Sequence, residues 1–155
     1  SSLDNSYKIV IVGLSKKQIK EMPASFFCIE RTESQKELAQ LYSAADVFFN
    51  PTYEDNFPTT NIESLACGTP VITYNTGGSA EVIDDYTGFS VEKGNIDEVI
   101  SRIITIKYKG KSSFSNKCVE RVKNKYNAKN KFNDYINLYN EILLKQWNKI
   151  SIITV

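Results

Sequence analysis

The stretch from Asn50 to Ile72, NPTYEDNFPTTNIESLACGTPVI, decides the fold. It follows an apolar run, Val47-Phe48-Phe49, that reads as a strand. An acidic turn, Glu54-Asp55-Asn56, follows. Thr60-Asn61-Ile62-Glu63 then has the spacing of a capping box, with Thr60 as N-cap and Glu63 at N3. Ile62, Leu65 and Ala66 are expected on the core side of that helix. Gly68 and Pro70 stop it, and Val71-Ile72-Thr73-Tyr74 is the next strand. Strand, loop, helix and strand in so short a span make a parallel βαβ unit. Its loop lies at the carboxyl end of the first strand, where doubly wound sheets bind ligands.

The same alternation extends in both directions. Upstream, Lys8-Ile9-Val10-Ile11-Val12, ended by Gly13, and Phe26-Phe27-Cys28-Ile29 read as buried parallel strands. Phe89-Ser90-Val91 reads as a short last strand. Leu38, Leu41, Tyr42 and Ala45 recur at helical spacing, as do Ile96, Val99, Ile100, Ile103 and Ile104. Ser34 before Glu37 and Asn95 before Glu98 are spaced as N-caps with N3 carboxylates. Beyond a polar connector at Lys109-Gly110-Lys111-Ser112-Ser113, helices are expected near 115–126 and 128–148. Phe132, Tyr135, Ile136, Tyr139 and Leu143 would line one face of the last. The fold class is therefore α/β, a Rossmann-like parallel sheet with helices on both faces that ends in C-terminal helices. Residues 1-148 form this one domain and 149-155 a tail.

Composition narrows the chemistry. The chain has 155 residues, enough for a real core, with 41% hydrophobic and 24% charged side chains. Its 19 basic and 18 acidic residues leave a formal charge of +1, which gives no long-range pull toward nucleic acid. Histidine is absent, so a histidine general base or Ser-His-Asp triad is excluded within the chain. Cys28, Cys67 and Cys118 are far apart and form no C-x-x-C pair, which argues against zinc and suits a reduced, cytoplasmic setting. No apolar run has the length of a membrane span. Only Gly13 follows the first strand, with no G-x-G-x-x-G, so a dinucleotide-binding domain is a poor reading.

The helix front after Thr59 carries roughly half a positive charge and unpaired N–H groups, and a phosphate binds readily there. Glu63 has two readings, a capping carboxylate or an acceptor of ligand hydroxyl hydrogen bonds. Glu54-Asp55-Asn56 is either a solvated turn or part of a site. Gly77-Gly78 before Ser79, itself a reasonable N-cap, permits positive φ and a close backbone approach. It is either a tight loop or a ligand-facing one. Lys16 and Lys17 read as a solvated helix start.

This stretch, with Tyr74 to Ile83 and Thr87-Gly88-Phe89, resembles the donor-binding half of a family-four retaining glycosyltransferase of the GT-B class. The most specific match covers about residues 46 to 91. The resemblance implies that Glu63 accepts hydrogen bonds from the ribose of a sugar nucleotide. It places the family's upstream acid, separated from that glutamate by seven intervening residues, at Asp55. The family's usual residue there is glutamate, and Glu54 is an alternative. Asn56, Phe57, Pro58, Thr59 and Thr60 match the loop that approaches the donor's sugar and diphosphate. Pro58 often stands as glycine in the family and lacks an N–H. Gly77 and Gly78 match a backbone-lined part of the site, and Glu81 a family glutamate. Arg31-Thr32 corresponds to the segment near the nucleobase, although Thr32 with Gln35 also fits a capping box.

The implied function is donor binding in a transferase that moves a hexosyl unit from a UDP- or GDP-sugar to a glycan or lipid-linked acceptor. No metal or other cofactor is implied. The acceptor would dock on an N-terminal domain not found here, and a lipid-linked acceptor would bring the full protein to a membrane surface. A non-catalytic nucleotide-binding or interaction module of the same fold is the rival reading. The family domain begins one strand earlier than Tyr7 to Gly13. Without that strand its neighbours either close up or receive a strand from a second copy, giving a homodimer. The end, Lys149 to Val155, resembles the opening strand of family-two glycosyltransferases, but over so few residues a chance apolar tail is the simpler reading.

Overall fold

A computed structural model of the chain describes residues 3, 4 and 6–147; the tail from 149 onward lies outside them. Five short parallel strands alternate with helices. They are β1 (Val10–Val12), β2 (Phe27–Ile29), β3 (Phe48–Asn50), β4 (Val71–Tyr74) and β5 (Gly88–Val91). The α-helices are α1 (Lys16–Glu21), α2 (Gln35–Ala44), α3 (Thr59–Ala66), α4 (Ile96–Lys109), α5 (Ser112–Lys125) and α6 (Ala128–Trp147), with a 3-10 turn at Ala80–Val82. Every strand expected from the apolar runs is present.

The ladder is in two pieces. β1 pairs with β2, and β3-β4-β5 form a separate three-stranded sheet. Among the described residues β1 and β3, the strands that would flank the expected missing one, did not close up. β1 bonds to β2 with Val10 opposite Phe27 and Val12 opposite Ile29, and among the described residues no ladder joins β1 to β3. The physical consequence is visible in burial. All four residues of β4 are buried, whereas Val10 is 51% and Phe27 57% exposed.

The core therefore sits around β4. Leu65 of α3, Val99 and Ile106 of α4, and Phe114 and Cys118 of α5 close over Val71, Ile72 and Tyr74. Burying each of the larger apolar side chains contributes about 1.5–3 kcal/mol. Ile106, wholly buried, was not in the expected stripe of α4, while Ile96 and Ile104 are exposed. Ile106 continues the inward face of Val99 and Ile103 at i+7 and i+3, and packs in the same core as Phe114 and Cys118. Lys107 ties the β1–β2 unit to this body, donating to the Ser6 hydroxyl at 2.7 Å and sitting 3.8 Å from the centre of the Tyr7 ring.

Candidate functional site at the front of helix α3

Three segments meet above the carboxyl ends of β3 and β4: the acidic loop 51–58, the first turn of α3, and the turn from Asn75 to Ser79. The helix starts one residue earlier than the capping-box pattern implies. Pro58 is the N-cap, buried, with φ −69° and ψ 113°, and no side chain caps the helix. Thr60 is therefore N2 and Glu63 sits in the second turn, so neither forms a capping box. Proline accounts for the shift, because its ring fixes φ where the helix entry needs it and its missing N–H costs nothing there. Thr59 and Thr60 are exposed at an uncapped helix front, which leaves first-turn N–H groups for a ligand.

The buried side of α3 also differs from expectation. Asn61, Ser64 and Leu65 are buried, Ile62 is half-buried and Ala66 is exposed. The polar pair is tolerated inside because it is bonded. Ser64 donates to the Thr69 carbonyl at 3.1 Å, and the Asn61 amide accepts from Asn50 at 2.9 Å while donating to the Ser79 carbonyl at 3.3 Å.

Within the loop, Asp55 is half-buried and its carboxylate accepts from the Phe57 N–H at 2.9 Å. That bond is a local Asx turn, which fixes the carboxylate beside the helix front. Glu54 is exposed, and its carbonyl accepts from the Thr52 hydroxyl at 3.2 Å. Asn56 and Phe57 are exposed, and the Phe57 ring meets Tyr126 edge-on at 5.9 Å. An open groove of about 810 Å³ lies on that side, between α3 and the start of α6, lined by Phe57, Ile62, Tyr126, Phe132 and Tyr135 among others.

Glu63 is exposed and points across to α2, where the Tyr42 phenol is pushed up to about 12. Burial is the larger cause, followed by the charge of Glu63 and a hydrogen bond with it. The exposed Glu63 carboxylate therefore lies close enough to the phenol to interact with it.

Gly77 and Gly78 approach the acidic loop itself. A Cβ on Gly77 would lie 2.1 Å from the Asp55 carbonyl oxygen, and one on Gly78 2.0 Å from that of Asn56. Gly77 also has φ +49°. The Gly78 N–H donates to the Asp55 carbonyl at 3.1 Å, and the Thr76 hydroxyl to the Thr52 carbonyl at 3.0 Å. The need for glycine here is therefore loop-to-loop packing. Ser79 does not cap the following 3-10 turn, having helical φ and ψ and no capping bond. Its buried hydroxyl has no partner among the described residues. The Glu81 side chain is exposed, while its carbonyl accepts from Arg121 of α5 and from Tyr126 just past its end.

Arg31 and Thr32 follow β2, at the same carboxyl edge but on the two-stranded sheet. Among the described residues no hydrogen bond or ring contact joins them to the loop. Thr32 does not cap α2; Ser34 does, accepting from the Glu37 N–H at 3.2 Å. Lys93 was not singled out from sequence. It stands 4.5 Å over the Tyr53 ring, next to Glu54. Its position just past β5, at the edge that carries the site, is the signal that could have found it.

This arrangement can be compared with known proteins. The sequence profile described as "Glycosyl transferases group 1" matches residues 1–127. The chain belongs to that family. The chain is similar to the "Capsular polysaccharide biosynthesis glycosyltransferase CapM" of Staphylococcus aureus, 32% identical over 119 residues, covering 70% of this chain and 29% of that protein. The "D-inositol 3-phosphate glycosyltransferase" of Mycobacteroides abscessus is 34% identical over 89 residues, 57% of this chain and 20% of that one. Among solved structures, sucrose-phosphate synthase from Thermosynechococcus elongatus superimposes with a TM-score of 0.71 at 26% identity, over 83% of this chain and 33% of that one. TarM does so with a TM-score of 0.73 at 19% identity, over 88% and 29%, a likeness of fold alone. The fold of this group 1 chain is thus one half of a GT-B architecture. The chain spans about a fifth to a third of the length of these relatives.

Proposed function

We propose that this chain is the sugar-nucleotide-binding half of a retaining glycosyltransferase that passes a hexosyl unit to a glycan or lipid-linked acceptor. The observation that carries the reading is the uncapped front of α3, held against an acidic loop by a glycine turn. Free amides at Thr59 and Thr60 suit a diphosphate. Asp55, turned beside that front, suits hydroxyls of the transferred sugar, and Glu63, backed by Tyr42, suits the ribose. Asn56, Phe57 and the Gly77–Gly78 turn complete the wall, and Arg31 and Thr32 extend the same edge toward the base. Departure of the diphosphate is eased by the helix dipole and amides, which stabilise the charge that develops there. Holding donor and acceptor together supplies much of the remaining rate. No step in this scheme needs a metal ion. The acceptor site belongs to a further domain, the setting is cytoplasmic, and a lipid-linked acceptor would place the whole protein at a membrane surface.

Calorimetric titration of the complete protein with UDP-, GDP- and ADP-sugars tests this, with Glu63→Gln alongside. One nucleotide sugar should bind, and the glutamine variant should lose about 1.5–3 kcal/mol of affinity through its charged hydrogen bonds. Because Glu63 is not an N3 capping residue, that loss should come without a change in melting temperature. Failure of all three donors to bind would leave the rival reading, an interaction module that keeps the fold.

A further inference from the structure

Asn61 is the place where the three segments of the candidate site are joined. It is wholly buried on α3. Its carbonyl oxygen accepts from the Asn50 amide, at the last residue of β3 where the acidic loop begins, at 2.9 Å. Its own amide donates to the carbonyl of Ser79, at the far end of the glycine turn, at 3.3 Å. The turn in turn bonds the loop through Gly78 to Asp55 and through Thr76 to Thr52. One side chain thus closes a ring of contacts from β3, through the helix, to the turn, and back to the loop. A primary amide carries its acceptor and its donor on separate atoms, so it can accept on one side and donate on the other at once. An aliphatic residue of the same size would fill the space but leave Ser79 and Asn50 without their bonds.

We infer that Asn61 is a positioning residue for donor binding. It fixes the glycine turn and the acidic loop against the helix front before a ligand arrives, and it touches no ligand itself. This rests on the donor-site reading above only for its catalytic consequence; the coupling of turn to loop stands on the geometry.

The test uses Asn61→Leu in the complete protein, with two readings. In the ligand-free protein, hydrogen exchange of the peptide spanning 75–80 should accelerate about tenfold or more, while that of β4 stays unchanged. In donor kinetics, kcat/KM should fall about 10- to 100-fold at a temperature well below the melt, with most of the loss in kcat. A variant with only a lower melting temperature, and with wild-type exchange at 75–80 and wild-type kinetics, would show Asn61 to be ordinary core and overturn the inference. Should Asn61→Leu fail to fold, Asn50→Ala removes the donor that orients Asn61 from a half-buried strand end, and the same exchange reading decides. If the wild-type protein binds no nucleotide sugar, the functional reading falls, and the ligand-free exchange still settles whether Asn61 couples turn to loop.

Discussion

Gly78 and Asp55 are bonded backbone to backbone, N–H to carbonyl at 3.1 Å, across two turns that the sequence separates by more than twenty residues. The contact leaves no room for a side chain, since a Cβ on Gly78 would stand 2.0 Å from the neighbouring Asn56 oxygen. Gly78→Ala should therefore push the loop away from the helix front. We expect a loss of about 2 kcal/mol or more in urea unfolding and weaker donor binding. Gly94 is the control. Its φ is +82° but nothing lies within 4 Å of its Cβ position, so Gly94→Ala should cost only about 1 kcal/mol of backbone strain.

Arg121 is a second fixed point. Its guanidinium, 9% exposed, donates to the carbonyls of Val82 at 2.6 Å, Ile83 at 2.8 Å and Glu81 at 3.0 Å, and pairs with Asp84. These are the carbonyls that follow the glycine turn. Arg121→Leu would strand them, and the urea midpoint should fall by the equivalent of about 2–4 kcal/mol. Asp84 is 40% exposed, so Asp84→Asn should cost less than about 1 kcal/mol.

The helix start makes a clean comparison. Asn95 accepts from the Glu98 N–H at 3.1 Å and caps α4, whereas Thr60 caps nothing. Asn95→Ala should destabilise by about 1 kcal/mol, and Thr60→Ala by less than about 0.5 kcal/mol. Thermal melts of the two variants side by side would separate them.

Alkaline pH should weaken the fold in a defined window. Burial, with the charge of Asp84 adding to it, pushes the Cys118 thiol from 9.0 up to about 12. Burial and Glu63 push the Tyr42 phenol from 10.0 up to about 12. In both cases the native chain keeps a proton that the unfolded chain has released. Stability is therefore fully present below 9.0 and declines as pH rises from 9.0 toward about 12, Cys118 contributing first and Tyr42 from 10.0. Each group adds a slope of up to about 1.4 kcal/mol per pH unit. Urea unfolding across this range measures it, and Cys118→Ala should remove the decline between 9.0 and 10.0.

The strands and their alternation with helices were readable because they depend on strong local signals. Val71 to Tyr74 is apolar, β-branched and bounded by Pro70, and it became the most buried strand. The caps Ser34 and Asn95 were legible for the same reason. The start of α3 was not, because two local rules compete there. Thr60 with Glu63 satisfies the capping spacing, but Pro58 already has the entry geometry, and the covalent constraint wins over a pair of hydrogen bonds. Asn61 and Ser64 were missed as buried positions because a hydrophobic pattern cannot mark a polar side chain whose partners lie on other segments. Their spacing with Leu65, at i, i+3 and i+4, was the available signal. The purpose of Gly77 and Gly78 was equally out of reach, since the obstacle they avoid is Asp55 and Asn56, more than twenty residues away.

The divided ladder has a practical consequence for anyone handling this polypeptide. Ile9, Val10, Val12 and Phe27 all present apolar surface to water on a narrow two-stranded ribbon, and such a ribbon is a template on which further extended chains can stack. Concentrated solutions should turn cloudy through that ribbon, and lysine at position 10 or 12 should clear them without disturbing the three-stranded sheet.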